Sequence, residues 1–219
     1  MGMQEALVRC DPTGREDPFV AACWLPWSLP RDAASEAHGE PTPVLALANA
    51  TRIAVFAVEG GDGSLRLLHT LPLDAGVALE ALHALPHETS ARTCWLVGRT
   101  KTGSTLLSWR LEASTEPSSD AQIVYRHSAG GSVTVQPEAA LVRSTAVCAP
   151  TRRDTTDEGS AAFPSTFSLV TGGRDGCVRL WAVDDDSDGL LKVSDRFMLR
   201  HYGPRQAWLH VHRVAVCPL

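Results

Sequence analysis

Short apolar or alternating runs recur along this chain, and they are separated by Gly, Ser, Asp and Pro. The runs are rich in Val, Leu, Thr and Trp, and helical periodicity is nearly absent, which is typical of β-strands. The predicted strands cover residues 44–48, 53–58, 64–71, 93–97, 105–111, 122–125, 166–171, 177–183 and 190–193. This pattern predicts an all-β protein built from hairpins and meanders.

One type of segment occurs three times. Each copy has an aromatic residue near the end of a strand, then a small or polar residue, an aliphatic residue and an acid. The three copies are residues 52–59 around Phe56, 104–112 around Trp109, and 177–184 around Trp181. Because self-similarity at intervals is the mark of a repeat architecture, we predict that these are equivalent strands of one repeated unit.

A second type of segment alternates with the first. Residues 142–150 resemble residues 211–218, and residues 77–83 are a weaker copy. The Ala and Leu content of residues 75–85 is also compatible with a helix. We assign that segment to a strand because the alternation requires one there. Each pair of segments is therefore predicted to belong to one four-stranded unit.

Residues 168–181 carry the closest resemblance to a known family. The run from Ser168 through Thr171 and Asp175-Gly176 to Trp181 resembles the b-strand, turn and c-strand of a WD40 β-propeller blade. The run at 211–218 is similar to the innermost a-strand of that family. The chain departs from the family pattern because no Gly-His pair precedes an a-strand and Ala182 stands where the family has Asp. Insertions at 152–165 and 184–189 also interrupt the repeats.

The resemblance covers roughly residues 19–219 and implies a WD40-type propeller with about three to four blades. We expect an N-terminal extension at 1–18, blades at approximately 19–73, 74–135 and 136–200, and the start of a next blade at 201–219. Propellers usually close with about 4–8 blades, since closure protects the sheet edges. The chain is therefore expected to be a fragment of a larger propeller. Two alternatives would also explain the low number of blades: the first segment contains more blades than the three assigned here suggest, or a partner chain completes the propeller.

Five residues are predicted to have structural roles in the repeat: Phe56, Trp109, Asp175, Gly176 and Trp181. Burial of either Trp would contribute ~2–3 kcal/mol. The Asp-Gly pair favours a tight turn, because Gly adopts positive φ easily and Asp bonds to nearby backbone. The resemblance implies that Asp175 ties the turn to the polar interior of a blade. The alternative is an ordinary solvated carboxylate in a hairpin.

Composition and charge favour an intracellular protein, located in the cytoplasm, the nucleus or both. The formal net charge of −5 and the scattered basic residues argue against direct binding of nucleic acid. The six cysteines include no C-x-x-C pair and indicate reduced thiols that fill small core positions. The N-terminus lacks the pattern of a signal peptide, and no apolar run is long enough to span a bilayer. No membrane partner is expected.

Candidate chemistry is weak throughout the sequence. The pair His210 and His212 has no carboxylate or Cys at a ligand-like spacing, and no nucleophile turn is present. Residues 60–64 are Gly-rich but lack the Lys-Ser/Thr pair of a phosphate loop. Residues 184–189 are acidic but do not follow the order of a calcium loop. We therefore predict a non-enzymatic protein with no catalytic residues, no metal ligands and no cofactor.

The predicted function is that of a scaffold that mediates protein–protein interactions within a multisubunit assembly. Short loops on a stiff propeller core can vary without disturbing the fold. The candidate partner contacts are Trp24 and Trp27 near the first strand, and Arg152 and Arg153 in an insertion. Core filling is the alternative for the two Trp, and a disordered loop for the insertion. The alternative function is a chromatin or ribonucleoprotein subunit, which would recognise a modified peptide or regulate an RNA-modifying enzyme.

Overall fold

The computed structural model describes residues 18–29, 42–59, 63–87, 90–115, 123–135, 141–148, 168–184 and 190–198. These residues form strands and connections, and no helix occurs among them, so the predicted all-β class is confirmed. The strands are β1 (Ala21–Leu29), β2 (Thr42–Ala48), β3 (Arg52–Glu59), β4 (Ser64–Pro72), β5 (Leu79–Pro86), β6 (Thr93–Thr100), β7 (Thr105–Thr115), β8 (Ile123–Thr134), β9 (Val142–Cys148), β10 (Ser168–Gly173), β11 (Cys177–Asp184) and β12 (Leu190–Met198).

The strands form three four-stranded antiparallel sheets, and in each sheet sequential strands are neighbours. The first sheet contains β1–β4, the second β5–β8 and the third β9–β12. Such meanders need only short hairpin connections, as the Gly- and Asp-rich breaks in the sequence predict. Each strand predicted from the apolar runs overlaps an observed one, whereas the run at 211–218, predicted to resemble an a-strand, lies outside the described residues. The predicted boundaries at 73/74 and 135/136 fall in the connections between the sheets, and the boundary at 200/201 lies outside the described residues. The assignment of these ranges as domains stays a prediction.

The segment with helix-like composition is a strand from Leu79 onward. The preceding turn places Gly76 at φ 86°, and β5 then pairs with β6. Leu82 belongs to a core shared with the first sheet, whereas Leu85 belongs to a core shared with the third. Because both faces of this strand are covered, its sequence lacks the apolar–polar alternation of a half-buried strand.

The three aromatic segments occupy equivalent positions. Phe56, Trp109 and Trp181 all lie in the third strand of their sheet and face a Leu of the second strand. In each sheet the pairing of the third and fourth strands shifts register beside the aromatic residue. The cross-strand rows, from first to fourth strand, are Trp24–Leu45–Phe56–Leu67, Ala84–Leu96–Trp109–Ala129 and Val147–Leu169–Trp181–Val193. The repeat predicted from sequence is thus present in the backbone pairing.

The sheets pack face to face in series, with like strands in contact. β1 contacts β5, and β5 contacts β9; at the other edge β4 contacts β8, and β8 contacts β12. One apolar core lies between the first and second sheets, and another lies between the second and third. The second sheet therefore has both faces buried. The structure is an ordered stack of similar sheets, and none of them closes into a barrel.

Candidate functional site

The turn between β10 and β11 has the tight geometry that Asp175-Gly176 predicts. Gly176 adopts φ 74°, in the left-handed region that other residues avoid, and its N–H donates to the Gly173 carbonyl at 3.2 Å. The Asp175 carboxylate accepts a hydrogen bond from the Cys177 backbone N–H at 3.2 Å. This turn fixes the start of the strand that carries Trp181.

Asp175 also forms an ion pair within the third sheet. The Arg179 guanidinium donates to both carboxylate oxygens, at 3.2 and 2.5 Å, and the Asp175 side chain is only 13% exposed. Burial by itself raises the pKa of this carboxyl, but the bonds from Arg179 and from the Cys177 backbone hold the pKa below its ordinary value. Asp175 is therefore a charged link between the turn and its strand.

The three repeat aromatics differ in how fully they are covered. Trp181 is buried, and its indole N–H donates to the Thr171 hydroxyl at 2.8 Å. Trp109 is 9% exposed, and its ring lies over Gly98 of β6, where a Cβ would come within 3.0 Å of it. Phe56 is only half-buried and has an edge-to-face contact with Phe19, at 6.1 Å between ring centroids. The first sheet alone presents its aromatic face without a neighbouring sheet in the described stack.

We call this surface the outer face of the first sheet. Strand alternation and pairing place fourteen side chains on it: Val20, Ala22, Trp24, Pro43, Leu45, Leu47, Arg52, Ala54, Phe56, Val58, Leu65, Leu67, Thr70 and Pro72. Twelve of them are apolar, Thr70 is polar, and Arg52 at the start of β3 is charged. Val20, Trp24 and Leu67 are 56%, 57% and 52% exposed. A solvated face of an antiparallel sheet is normally polar, so this composition is unusual for a face that is exposed to solvent.

The equivalent faces of the other two sheets are covered. Trp109 and Leu96 pack into the core shared with the first sheet. Trp181 and Leu169 pack into the core shared with the second sheet. Each aromatic face thus rests on the sheet that precedes it in sequence, and the first sheet has no preceding sheet among the described residues.

The opposite end of the stack is the face of the third sheet that points away from the second. We call it the far face of the third sheet. Alternation and pairing place small, aliphatic and polar side chains on it, including one charged group: Ser144, Ala146, Cys148, Ser168, Val170, Val178, Leu180, Ala182 and Lys192. Most of these are half-buried. The two end faces of the described stack therefore differ: the outer face of the first sheet carries aromatic side chains, and the far face of the third sheet carries mostly small and aliphatic side chains with the charged Lys192.

The sequence-predicted partner contacts lie in different surroundings. Trp24 is in the exposed row of the outer face, whereas Trp27 is partly buried against the core between the first two sheets. Arg152 and Arg153 lie outside the described residues, as do His210 and His212. Sequence inspection missed the outer face as a whole, although the continuous apolar runs of β2 and β3 are its signal.

Polar contacts bridge the sheets. His69 of β4 and His127 of β8 are joined by a 2.8 Å ring-nitrogen contact, and His69 stacks on Tyr125. Burial and the neighbouring His127 lower the pKa of His69. Between the second and third sheets, a 2.6 Å hydrogen bond joins His83 to the Thr145 hydroxyl. These contacts fix the order and orientation of neighbouring sheets.

Reactive chemistry finds little support in the described part of the chain. Burial raises the pKa of the Cys23 thiol to about 12 and that of Cys94 well above its ordinary value, so neither is a ready nucleophile. No group of three or more His, Cys, Asp or Glu side chains with metal-binding geometry occurs among the described residues. No helix long and apolar enough to cross a membrane was found there.

No protein-family model matches this chain, and no curated protein matches it in sequence. The inference of function below therefore depends on the geometry of the sheets and on the resemblance of residues 168–181 to a WD40 blade.

Proposed function

We propose that this protein is a WD40-type propeller subunit that acts as a non-catalytic scaffold and binds other proteins. The observation that carries the proposal is the outer face of the first sheet, which is apolar and exposes Trp24 and Leu67 to solvent. Exposed aromatic side chains in a rigid apolar patch are the usual energetic centres of protein interfaces. A stiff stack of sheets loses little conformational entropy on binding.

The propeller assignment is supported by three features of the repeat. The sheets are four-stranded meanders, like strands contact like strands along the stack, and an aromatic residue marks each third strand. Blades of a propeller are related in this way around a central channel. The central channel would then run beside the first strands, β1, β5 and β9.

The partners proposed are proteins, bound inside the cell, with no cofactor. A net charge of −5 and a largely apolar outer face do not favour binding of a phosphate backbone. The chromatin or ribonucleoprotein alternative stays a prediction, which the experiment below also addresses.

The test is site-specific photocrosslinking in extracts of the source cells. A photoreactive phenylalanine analogue replaces Trp24, and the control carries it at Thr102, an exposed turn residue of the second sheet. Crosslinked products are identified by mass spectrometry with and without nuclease. We expect crosslinks to protein at position 24, well above the level at position 102 and unchanged by nuclease. Equal yields at the two positions, or crosslinks chiefly to RNA, would overturn the proposal.

A further inference from the structure

We infer that the contact between His69 and His127 is a pH-sensitive latch, which holds the outer edges of the first and second sheets together and opens when both rings are protonated. His69 lies in β4 and His127 lies in β8, so the contact joins the last strand of each sheet. The latch goes beyond the proposed function and does not depend on it, because it involves neither Trp24 nor the outer face of the first sheet.

The facing ring nitrogens of the pair point at each other. Nε2 of His69 lies 2.8 Å from Nδ1 of His127, and the ring centroids are 5.0 Å apart. For two five-membered rings joined by a nitrogen contact of this length, such a centroid separation is close to the largest that is possible. The rings therefore meet head-on, which is the arrangement of a nearly linear N–H···N hydrogen bond.

A head-on contact of this kind holds a single proton between the two nitrogens. A neutral imidazole has one N–H and one lone pair, so two neutral rings form the bond with either ring as the donor. One added proton leaves the bond in place, because an imidazolium donates to a neutral ring and its charge strengthens the bond. A second added proton puts an N–H group on both facing nitrogens, and the contact becomes repulsive. The latch is therefore closed until the pair takes up its second proton.

The surroundings of His69 make it the ring that resists protonation. His127 is exposed, whereas His69 is half-buried and stacks on Tyr125. Burial, and after it the charge of His127, lowers the pKa of His69. As pH falls below the ordinary value of 6.5, a pair whose rings are separated therefore binds the second proton before the closed pair does. Opening is favoured on the acid side of that value.

Titratable groups of the first sheet give no counter-charge to the second proton. On the described strands that lie against the second sheet, the carboxylate is Glu59 of β3, and it forms an ion pair with Arg66 of β4. Arg66 also adds positive charge close to Tyr125, which disfavours a further cation there. The Cys23 thiol in β1 is neutral, because burial raises its pKa to about 12.

Titratable groups of the second sheet give none either. On the face toward the first sheet, β8 carries Tyr125 and His127, and the β7 side chains paired with them are uncharged. Burial raises the pKa of the Tyr125 hydroxyl and that of the Cys94 thiol, so both groups are neutral. Strand alternation places the charged side chains of Glu112 and Arg126 on the opposite face of the sheet. The second proton on the pair is therefore uncompensated.

The place of the pair in the stack turns loss of this contact into an opening of the junction. The inner strands β1 and β5 contact each other extensively, whereas the outer strands β4 and β8 meet at few residues. The outer edges are therefore free to separate while the inner strands stay packed. Tyr125 belongs to the core of this junction and stacks on His69, at 6.3 Å between ring centroids, so that its ring reports the opening.

The experiment is an NMR titration of the histidine and tyrosine rings of the full chain, from about pH 7.5 to about pH 5, where histidine changes its charge. At the upper pH we expect nuclear Overhauser cross-peaks from the His69 ring to the rings of His127 and Tyr125. At the lower pH we expect both sets to be lost. The cross-peak between the His83 ring and the Thr145 methyl group should persist, because burial holds the pKa of His83 at about 4 and a hydroxyl pairs with either state of the ring.

The variant His127→Asn tests the cause of the opening. Its amide oxygen lies where Nδ1 lay and accepts a hydrogen bond from His69, but the amide takes up no proton. We therefore expect the pKa of His69 to rise, and its cross-peaks with Tyr125 to persist at about pH 5. His87→Gln removes a histidine from the connection after β5, so it is the matched control and is expected to open as the wild type does.

Three results would overturn the inference. The first is a wild-type contact between His69 and His127 that persists when both rings are protonated. The second is a pKa of His69 that His127→Asn leaves unchanged. The third is loss of the cross-peak between His83 and Thr145 together with the others, which would mean global unfolding and no local latch. The wild-type titration decides the matter even where a variant does not fold, and the crosslinking test of the scaffold proposal is independent of it at neutral pH.

Discussion

The hydrogen bond between Trp181 and Thr171 offers a quantitative test of the third sheet. The indole N–H lies 2.8 Å from the Thr171 hydroxyl, and both side chains are buried. Burial of the indole contributes about 2–3 kcal/mol, and the cavity left by its removal adds to the loss. We therefore expect Trp181→Ala to lower the free energy of unfolding by about 3–5 kcal/mol.

A double-mutant cycle isolates the hydrogen bond from the burial. Trp181→Phe removes the donor but keeps an aromatic ring, and Thr171→Val removes the acceptor at nearly constant shape. Each single variant leaves one buried polar group without its partner, which costs about 1–3 kcal/mol. The double variant removes both groups, so we expect a coupling free energy of about 1 kcal/mol.

The assay is urea unfolding followed by far-UV circular dichroism, at one low protein concentration so that any association does not enter the comparison. A loss below about 0.5 kcal/mol for Trp181→Ala would mean that the strand is not buried, since surface substitutions fall in that range. A coupling free energy near zero would show that the Trp181 and Thr171 side chains do not interact, and the hydrogen bond between them would then be wrong.

Three further predictions concern the junctions between the sheets. Burial, with Arg99 nearby, lowers the pKa of His83 from 6.5 to about 4. As pH falls, the unfolded chain therefore binds the proton before the folded chain does. The free energy of unfolding should decline between pH 6.5 and pH 4, by up to about 3 kcal/mol. Urea unfolding from pH 7 to 4 should show a flatter decline for His83→Gln, and a decline as steep as that of the wild type would contradict this. Gly103→Ala is expected to lower the free energy of unfolding by more than about 2 kcal/mol, because the added Cβ would lie 2.2 Å from the Val142 carbonyl oxygen. Gly63→Ala is the control: Gly63 has a similar φ but open space around it, and the expected loss is about 1 kcal/mol. The Cys94 thiol, buried with a raised pKa, should react with a maleimide only at the rate of unfolding, and labelling as fast as that of a free thiol would refute its burial.

Much of the fold follows from local sequence. The aromatic-tipped segments identify the third strand of each sheet, because a buried central strand needs a large side chain at a fixed place. The turn at Asp175-Gly176 is equally local, since its geometry depends on two residues and the adjoining backbone. Strand β5 could be predicted only from the repeat, because its Leu side chains pack into two different cores and its sequence therefore lacks the alternation of a half-buried strand.

Other features could not be predicted from the sequence pattern. The partner of Asp175 is Arg179, and the sequence alone gave no reason to prefer that cation. The register shifts beside the aromatic residues are equally invisible to pattern analysis. The outer face of the first sheet became recognisable only when the equivalent faces of the other sheets proved to be covered. A continuous apolar strand indicates two covered faces, but it does not say by what.

The serial stacking of the sheets is the central claim, and nuclear Overhauser contacts across the two interfaces test it most directly. The account predicts cross-peaks between the rings of His69 and Tyr125, whose centroids are 6.3 Å apart, and between the His83 ring and the Thr145 methyl group. The first pair joins the first and second sheets, and the second pair joins the second and third. A folded, strand-rich protein that lacks both sets of cross-peaks would contradict the stack.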